Sequence, residues 1–146
     1  MASELSLAGK SSRTFLDTNV LAYSDDPRDP AKQQTALNLI KVHLRERTGV
    51  VSLQVLQEYF DAATRKLKLN AELAKQRVQV FAKFHVAEPT VIDILAAIDI
   101  HRLHSFSFWD ALIVLMAKQA GCRVLLSEDM QNGREIDGVK IVNPFL

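Results

Sequence analysis

Along this chain, short apolar runs rich in β-branched residues alternate with longer stretches of helical periodicity. Strands separated by helical crossovers cannot pair through tight turns, so the alternation restricts the chain to a parallel sheet covered on both faces. Arg13 to Leu16 reads as the first strand. Asp29-Pro30 then supplies an N-cap followed by a proline in the first helical turn, and Ala36, Leu37, Ile40 and Leu44 recur at helical spacing behind it. Gly49 to Ser52 is a second strand, followed by a helix through Leu53, Leu56, Tyr59, Phe60 and Ala63. Asn70 caps the next helix, whose apolar face is expected to carry Leu73, Val78 and Phe81. An extended piece from His85 to Glu88 stops at Pro89. Thr90-x-x-Asp93 has capping-box spacing and opens a helix to about Leu103. Ser107-x-x-Asp110 repeats that spacing before a helix that ends near Gly121. Arg123 to Leu126 and Val139 to Val142 complete the strands. The expected fold class is α/β: a three-layer α/β/α domain with a central parallel sheet, formed as a single domain by residues 13–146 behind a flexible leader of residues 1–12.

A length of 146 residues suits one domain with a real core. The formal charge of +1 spreads no basic field, so a polyanion would have to be held by a local patch or through a metal. Cys122, the single cysteine, excludes an internal disulfide framework and reads as a small buried hydrophobe. No apolar run is long enough for a membrane span, and residues 1–12 lack a signal-peptide core. The sequence therefore reads as soluble and intracellular, with no membrane role.

Four acids stand at the ends of apolar runs: Asp17 after Thr14-Phe15-Leu16, Glu58 in Leu56-Gln57-Glu58-Tyr59, Asp110 after Phe108-Trp109, and Asp129 shortly after Val124-Leu125-Leu126. In open parallel sheets ligands bind beyond the carboxyl ends of the strands, the rim to which these four positions belong. Each acid has a plainer reading. Asp17 with Asn19 would make an Asx-type turn, Glu58 a solvated helix residue, Asp110 half of a capping box with Ser107, and Asp129 one more turn acid beside Asn132-Gly133. Those separate readings do not explain why every acid falls at the same rim. Crowded carboxylates resist ionising unless a cation lies between them, so the set points to a hard divalent metal.

The segments Phe15-Leu16-Asp17-Thr18-Asn19-Val20-Leu21, the helical Glu58, Phe106 to Ile113, and Leu125-Leu126-Ser127-Glu128-Asp129-Met130 resemble the ordered acidic motifs of the PIN-domain ribonucleases. The wording of Ser127 to Gly133 is most similar to the VapC-type toxins of bacterial toxin–antitoxin pairs. The resemblance runs from Arg13 to Val142, with a leader longer than such toxins often have. It implies a metal-dependent endoribonuclease using Mg2+ or Mn2+, with RNA as substrate and products carrying 5′-phosphate and 3′-hydroxyl ends. Asp17, Asp110 and Asp129 would hold the metal together with Glu58, the acid that positions or deprotonates the attacking water. Asn19 and Ser127 would orient those carboxylates. A cytoplasmic homodimer and a cognate antitoxin protein are also implied. The helical segment Leu53 to Phe81 offers Tyr59, Phe60, Leu67, Leu69 and Val80 for pairing, and a groove near Leu53 to Phe60 offers a seat for an apolar antitoxin segment. The alternatives are a housekeeping PIN-domain RNA-processing or decay nuclease, and a non-catalytic PIN scaffold. An aspartyl-nucleophile phosphatase is disfavoured because its second acid is replaced by Asn19, and a phosphoacceptor receiver because its Asp and Lys positions are not matched.

Weaker signals complete the reading. His101 and His104 sit at helical spacing without a third ligand and read as surface groups. Arg65, Lys66, Lys68, Lys75 and Arg77 read equally as a solvated face or a track for RNA phosphates. Trp109 is expected to pack in the core rather than to stack on a base.

Overall fold

The computed structural model describes residues 13–146; the expected leader lies outside them. Strands β1 (Thr14–Leu16), β2 (Gly49–Ser52), β3 (His85–Ala87), β4 (Val124–Leu126), β5 (Glu135–Ile136) and β6 (Val139–Val142) form one sheet in the order β3-β2-β1-β4-β6-β5. Helices α1 (Thr18–Tyr23) and α2 (Pro30–Arg45) link β1 to β2, α3 (Leu53–Arg65) and α4 (Ala71–Phe81) link β2 to β3, and α5 (Val91–His104) and α6 (Phe108–Gln119) link β3 to β4. The path steps outward from β1 to β3 and then returns to β4 on the other side of β1. Right-handed crossovers therefore put α1 to α4 on one face and α5 with α6 on the other. The result is a mostly parallel sheet between two helical layers.

Both faces of the central strands are covered: every residue of β1 and β2 is buried. Asp29, Asn70, Thr90 and Ser107, the caps read from the sequence, each accept an amide hydrogen bond from the first turn of their helix, and Ser52 at the end of β2 does the same for α3. Thr90 and Asp93 complete a reciprocal capping box. Helix α6 is buried at every position from Ala111 to Ala117, because it packs against α5 on one side and against β2, β4 and β6 on the other. Cys122 is buried, and burial pushes its thiol up to about 12.

Four features depart from the sequence reading. Helix α1 was not expected; its six residues, capped by Asp17, are too short to display a helical period. Strand β5 adds an antiparallel edge to the parallel sheet, joined to β6 by a two-residue turn in which Asp137 (φ 49°) and Gly138 (φ 86°) both adopt positive φ. Leu73 is exposed, and α4 buries Ala74 and Phe81 instead. The helical surface expected to be spare for pairing is largely used internally. Tyr59 is fully buried, with its ring edge-on to Phe81 and its hydroxyl donating to Asp25 Oδ2 at 2.6 Å, while Leu69 and Val80 pack against the core. Exposed apolar side chains collect on α5 instead, at Val91, Ile92, Leu95 and Leu103.

Candidate active site

The strand order reverses between β1 and β4, the point in an open parallel sheet where two crossovers diverge and leave a crevice. A cavity of about 460 Å3 opens there, and Asp17, Glu58, Asp110 and Asp129 all line it. The four come from four separate elements. Asp17 follows β1, Glu58 lies in the second turn of α3, Asp110 in the first turn of α6, and Asp129 in the loop after β4.

Asp17 is the deepest of them and is buried. It caps α1, its Oδ1 accepting from the Thr18 amide at 2.7 Å, while Ser127 Oγ donates to Oδ2 at 2.8 Å. Burial pushes its carboxyl up to about 7; the Ser127 and Thr18 bonds oppose the rise, and the charges of Glu58 and Asp110 add to it. The plain reading of Asp17 as a turn acid is thus half right: it does organise the local backbone, but in a position costly for a charge. Asp110 is also raised, first by burial, with Ser107 opposing and the charges of Asp129 and Glu58 adding. Its amide donates to Ser107 Oγ at 3.1 Å, yet the reciprocal bond that closes the box at Thr90 is not formed here.

Glu58 and Asp129 are exposed at the cavity mouth. Thr18 Oγ1 donates to Glu58 Oε1 at 2.8 Å, and Gln54 Nε2 donates to Glu58 Oε2 at 3.4 Å and to the Trp109 carbonyl at 3.3 Å. Asn19 Nδ2 donates to Asp129 Oδ2 at 3.1 Å, while its carbonyl oxygen accepts from the Glu128 amide at 3.1 Å. Ser127 Oγ accepts from the Asp129 amide at 3.3 Å as it donates to Asp17, so one hydroxyl ties the loop after β4 to the end of β1. Glu128 also lines the cavity, but it faces cationic and hydroxyl partners. Lys32 Nζ lies 2.6 Å from one oxygen and the Tyr23 hydroxyl donates to the other at 2.6 Å. Burial would raise the Glu128 carboxyl, and those two partners outweigh it and lower the pKa.

Thr18 and Gln54 were not singled out from the sequence. Thr18 stands inside the Asp17-Thr18-Asn19 string, and Gln54 precedes Glu58 by one helical turn, so an i, i+4 search around Glu58 would have found it. Trp109 is a correction: it is 61% exposed and touches Phe108 edge-on rather than filling the core. The basic residues divide. Arg65 and Lys66 line the cavity, Arg77 pairs with Asp25 at 2.9 Å, and Lys75 lines an apolar groove between α3 and α4. His101 Nδ1 lies 2.5 Å from the Phe106 carbonyl, and Arg134 donates to the His104 carbonyl, so this pair serves the end of α5.

Among the described residues, no three acidic, histidine or cysteine side chains already stand close enough to share one ion. The donor set is nonetheless that of a hard cation, since it offers carboxylate oxygens with no thiolate or imidazole.

The family model described as PIN domain matches residues 14–134. The chain belongs to the PIN-domain family. Among solved structures, this PIN domain is similar to VapC20 of Mycobacterium tuberculosis, described as a Sarcin-Ricin loop cleaving toxin. The TM-score is 0.63 at 21% identity, covering 80% of this chain and 91% of that one. It is also similar to a chain of DNA-bound VapBC from Salmonella typhimurium, with a TM-score of 0.62 at 18% identity, covering 89% of this chain and 96% of that one. At such identities the likeness speaks for the fold. Comparison with curated proteins gives no match. Among the described residues no helix of this PIN domain is long and apolar enough to cross a membrane.

Proposed function

We propose that this PIN domain is a divalent-metal-dependent endoribonuclease and the toxin of a toxin–antitoxin pair. The observation that carries the reading is the convergence of Asp17, Glu58, Asp110 and Asp129, from four elements, on one cavity at the reversal of strand order. Asp17, Asp110 and Asp129 would hold the ion, directly or through water, and Glu58 would join them at the mouth. A bound Mg2+ or Mn2+ supplies positive charge against the charge that develops on a phosphodiester and acidifies water beside it. Glu58, fixed by Thr18 and Gln54, orients the attacking water and takes its proton. Asn19 and Ser127 keep Asp129 and Asp17 turned toward the cavity. Water attack at phosphorus leaves 5′-phosphate and 3′-hydroxyl ends.

The toxin assignment draws on the two VapC-type neighbours in fold, one of them a toxin by description and the other a VapBC assembly. An antitoxin has a seat near the segment expected from the sequence: the apolar groove between α3 and α4, lined by Leu53, Leu56, Phe60 and Val78. The protein works in the cytoplasm as a homodimer, and light scattering at micromolar concentration should give twice the monomer mass. A monomer of full activity would remove the dimer from the account. Expression of the wild-type chain without its antitoxin should arrest growth of the host, and expression of the Asp17→Asn form should not. Undisturbed growth with the wild-type chain at full expression would leave a housekeeping RNA nuclease as the better reading.

A further inference from the structure

The cavity carries a charge imbalance that the acidic site alone does not explain. Seven acidic residues line it against three basic ones, Arg28, Arg65 and Lys66. An RNA strand entering such a cavity meets net repulsion unless cationic groups receive the phosphates that flank the reacting one. Two of the three bases are already committed. Arg28 makes a bidentate contact with Asp26 at 2.9 Å through both Nε and NH2, and Arg65 grips Asp61 at 3.0 and 2.6 Å in the same manner. Recruiting Arg28 would leave the buried carboxylate of Asp26 without its partner, and Arg65 would have to give up its exposed pair with Asp61. Lys66 forms no salt bridge with any described residue, and its side chain lines the cavity from the C-terminal cap of α3.

Its position on α3 sets what it can reach. Lys66 lies eight residues beyond Glu58, which at the helical rise is roughly 12 Å along the axis. The two backbone positions thus stand about two turns of α3 apart, and Lys66 lines the cavity from the end of α3 away from Glu58. An ammonium there is a point charge suited to a phosphate oxygen without demanding a fixed approach. We propose that Lys66 anchors a phosphate next to the scissile one, so that the cavity takes single-stranded RNA of at least several nucleotides, with the reacting phosphodiester at the acids and a neighbouring one at Lys66. This rests on the nuclease reading for the identity of the polyanion, but it makes a separate claim about where a second phosphate sits.

The test compares wild type, Lys66→Gln and Lys66→Arg on a short single-stranded RNA oligonucleotide and on a dinucleoside monophosphate, whose only phosphate is the scissile one. For the oligonucleotide, Lys66→Gln should raise KM about tenfold at low salt with a much smaller change in kcat, the size expected for one charge-assisted contact. Lys66→Arg should restore most of the loss. The loss should shrink sharply on the dinucleoside monophosphate. In fluorescence anisotropy without metal, the slope of log affinity against log salt should become shallower by about 0.7 in Lys66→Gln, one phosphate contact fewer on a single strand. An unchanged slope and KM, or an equal loss on both substrates, would overturn the anchor. If the wild type binds RNA with the expected slope but never cleaves it, the nuclease reading fails while the Lys66 contact stands. No RNA binding by the wild type overturns the contact too.

Discussion

Asp17→Asn and Asp110→Asn are each expected to lower RNA cleavage on the order of a thousandfold while the fold persists. The magnitude follows from what the residues touch. Both carboxylates face the interior of one cavity, both are pushed up by burial, and the charge of Asp110 adds to the rise at Asp17. Asparagine keeps the shape and, at position 17, remains a good N-cap for α1, so the loss should come from the missing negative charge rather than from misfolding. Steady-state rates on a labelled RNA, with circular dichroism and melting recorded on the same samples, separate the two causes. Rates within a few-fold of wild type in either variant would remove that residue from the site.

The same burial makes a second large effect visible without any substrate. The carboxyl of Asp17 stands at about 7 in the folded protein against an ordinary value of 3.8. Below pH 4 it is protonated both folded and unfolded and contributes nothing to the pH dependence. Between about 4 and 7 the unfolded chain releases the proton and the folded chain keeps it, so stability falls as pH rises, by about 4 kcal/mol across the window as an upper figure. Above 7 both forms are charged and the loss is complete. Asp17→Asn has no such proton to release. In EDTA its melting temperature should exceed that of wild type at pH 8, and the gain should fade as pH is lowered toward 4. Mg2+ or Mn2+ should then stabilise wild type more than the variant, because the ion offsets the buried charge. A gain of equal size at pH 4 and pH 8 would place its origin elsewhere.

The convergence of Asp17, Glu58, Asp110 and Asp129 was legible because Asp17 and Asp129 follow strands and Glu58 and Asp110 lie in the early turns of helices, positions that the parallel-sheet topology carries to one rim. The bonds that set them were not. Thr18 reaches Glu58 across 40 positions of sequence, a contact that depends on the end of β1 facing the second turn of α3. Helix α1, with six residues, and β5, with two, lack the length over which a period can be read, although Asp137-Gly138 marks the turn after β5. Trp109 was misjudged because its apolar neighbours belong to α6, whose first turn projects past the packed layer before Ala111 enters it. Helix α5 carries apolar residues on every side, with Asp93, Asp99 and Arg102 among them, so its sequence could not say that Ala97 and Ile100 face the core while Val91, Ile92 and Leu95 face outward.

The most direct measurement of the central claim is the chemistry of the cut. A single-stranded RNA labelled at its 5′ end should be cleaved by the purified wild-type protein in Mg2+ or Mn2+, and the reaction should stop in EDTA. The 5′ fragments should end in 3′-hydroxyls and the downstream fragments should carry 5′-phosphates, as water attack at phosphorus requires. Cleavage that persists in EDTA, or that leaves 2′,3′-cyclic phosphate and 5′-hydroxyl ends from attack by the RNA's own 2′-hydroxyl, would contradict a carboxylate-held metal as the source of the activity.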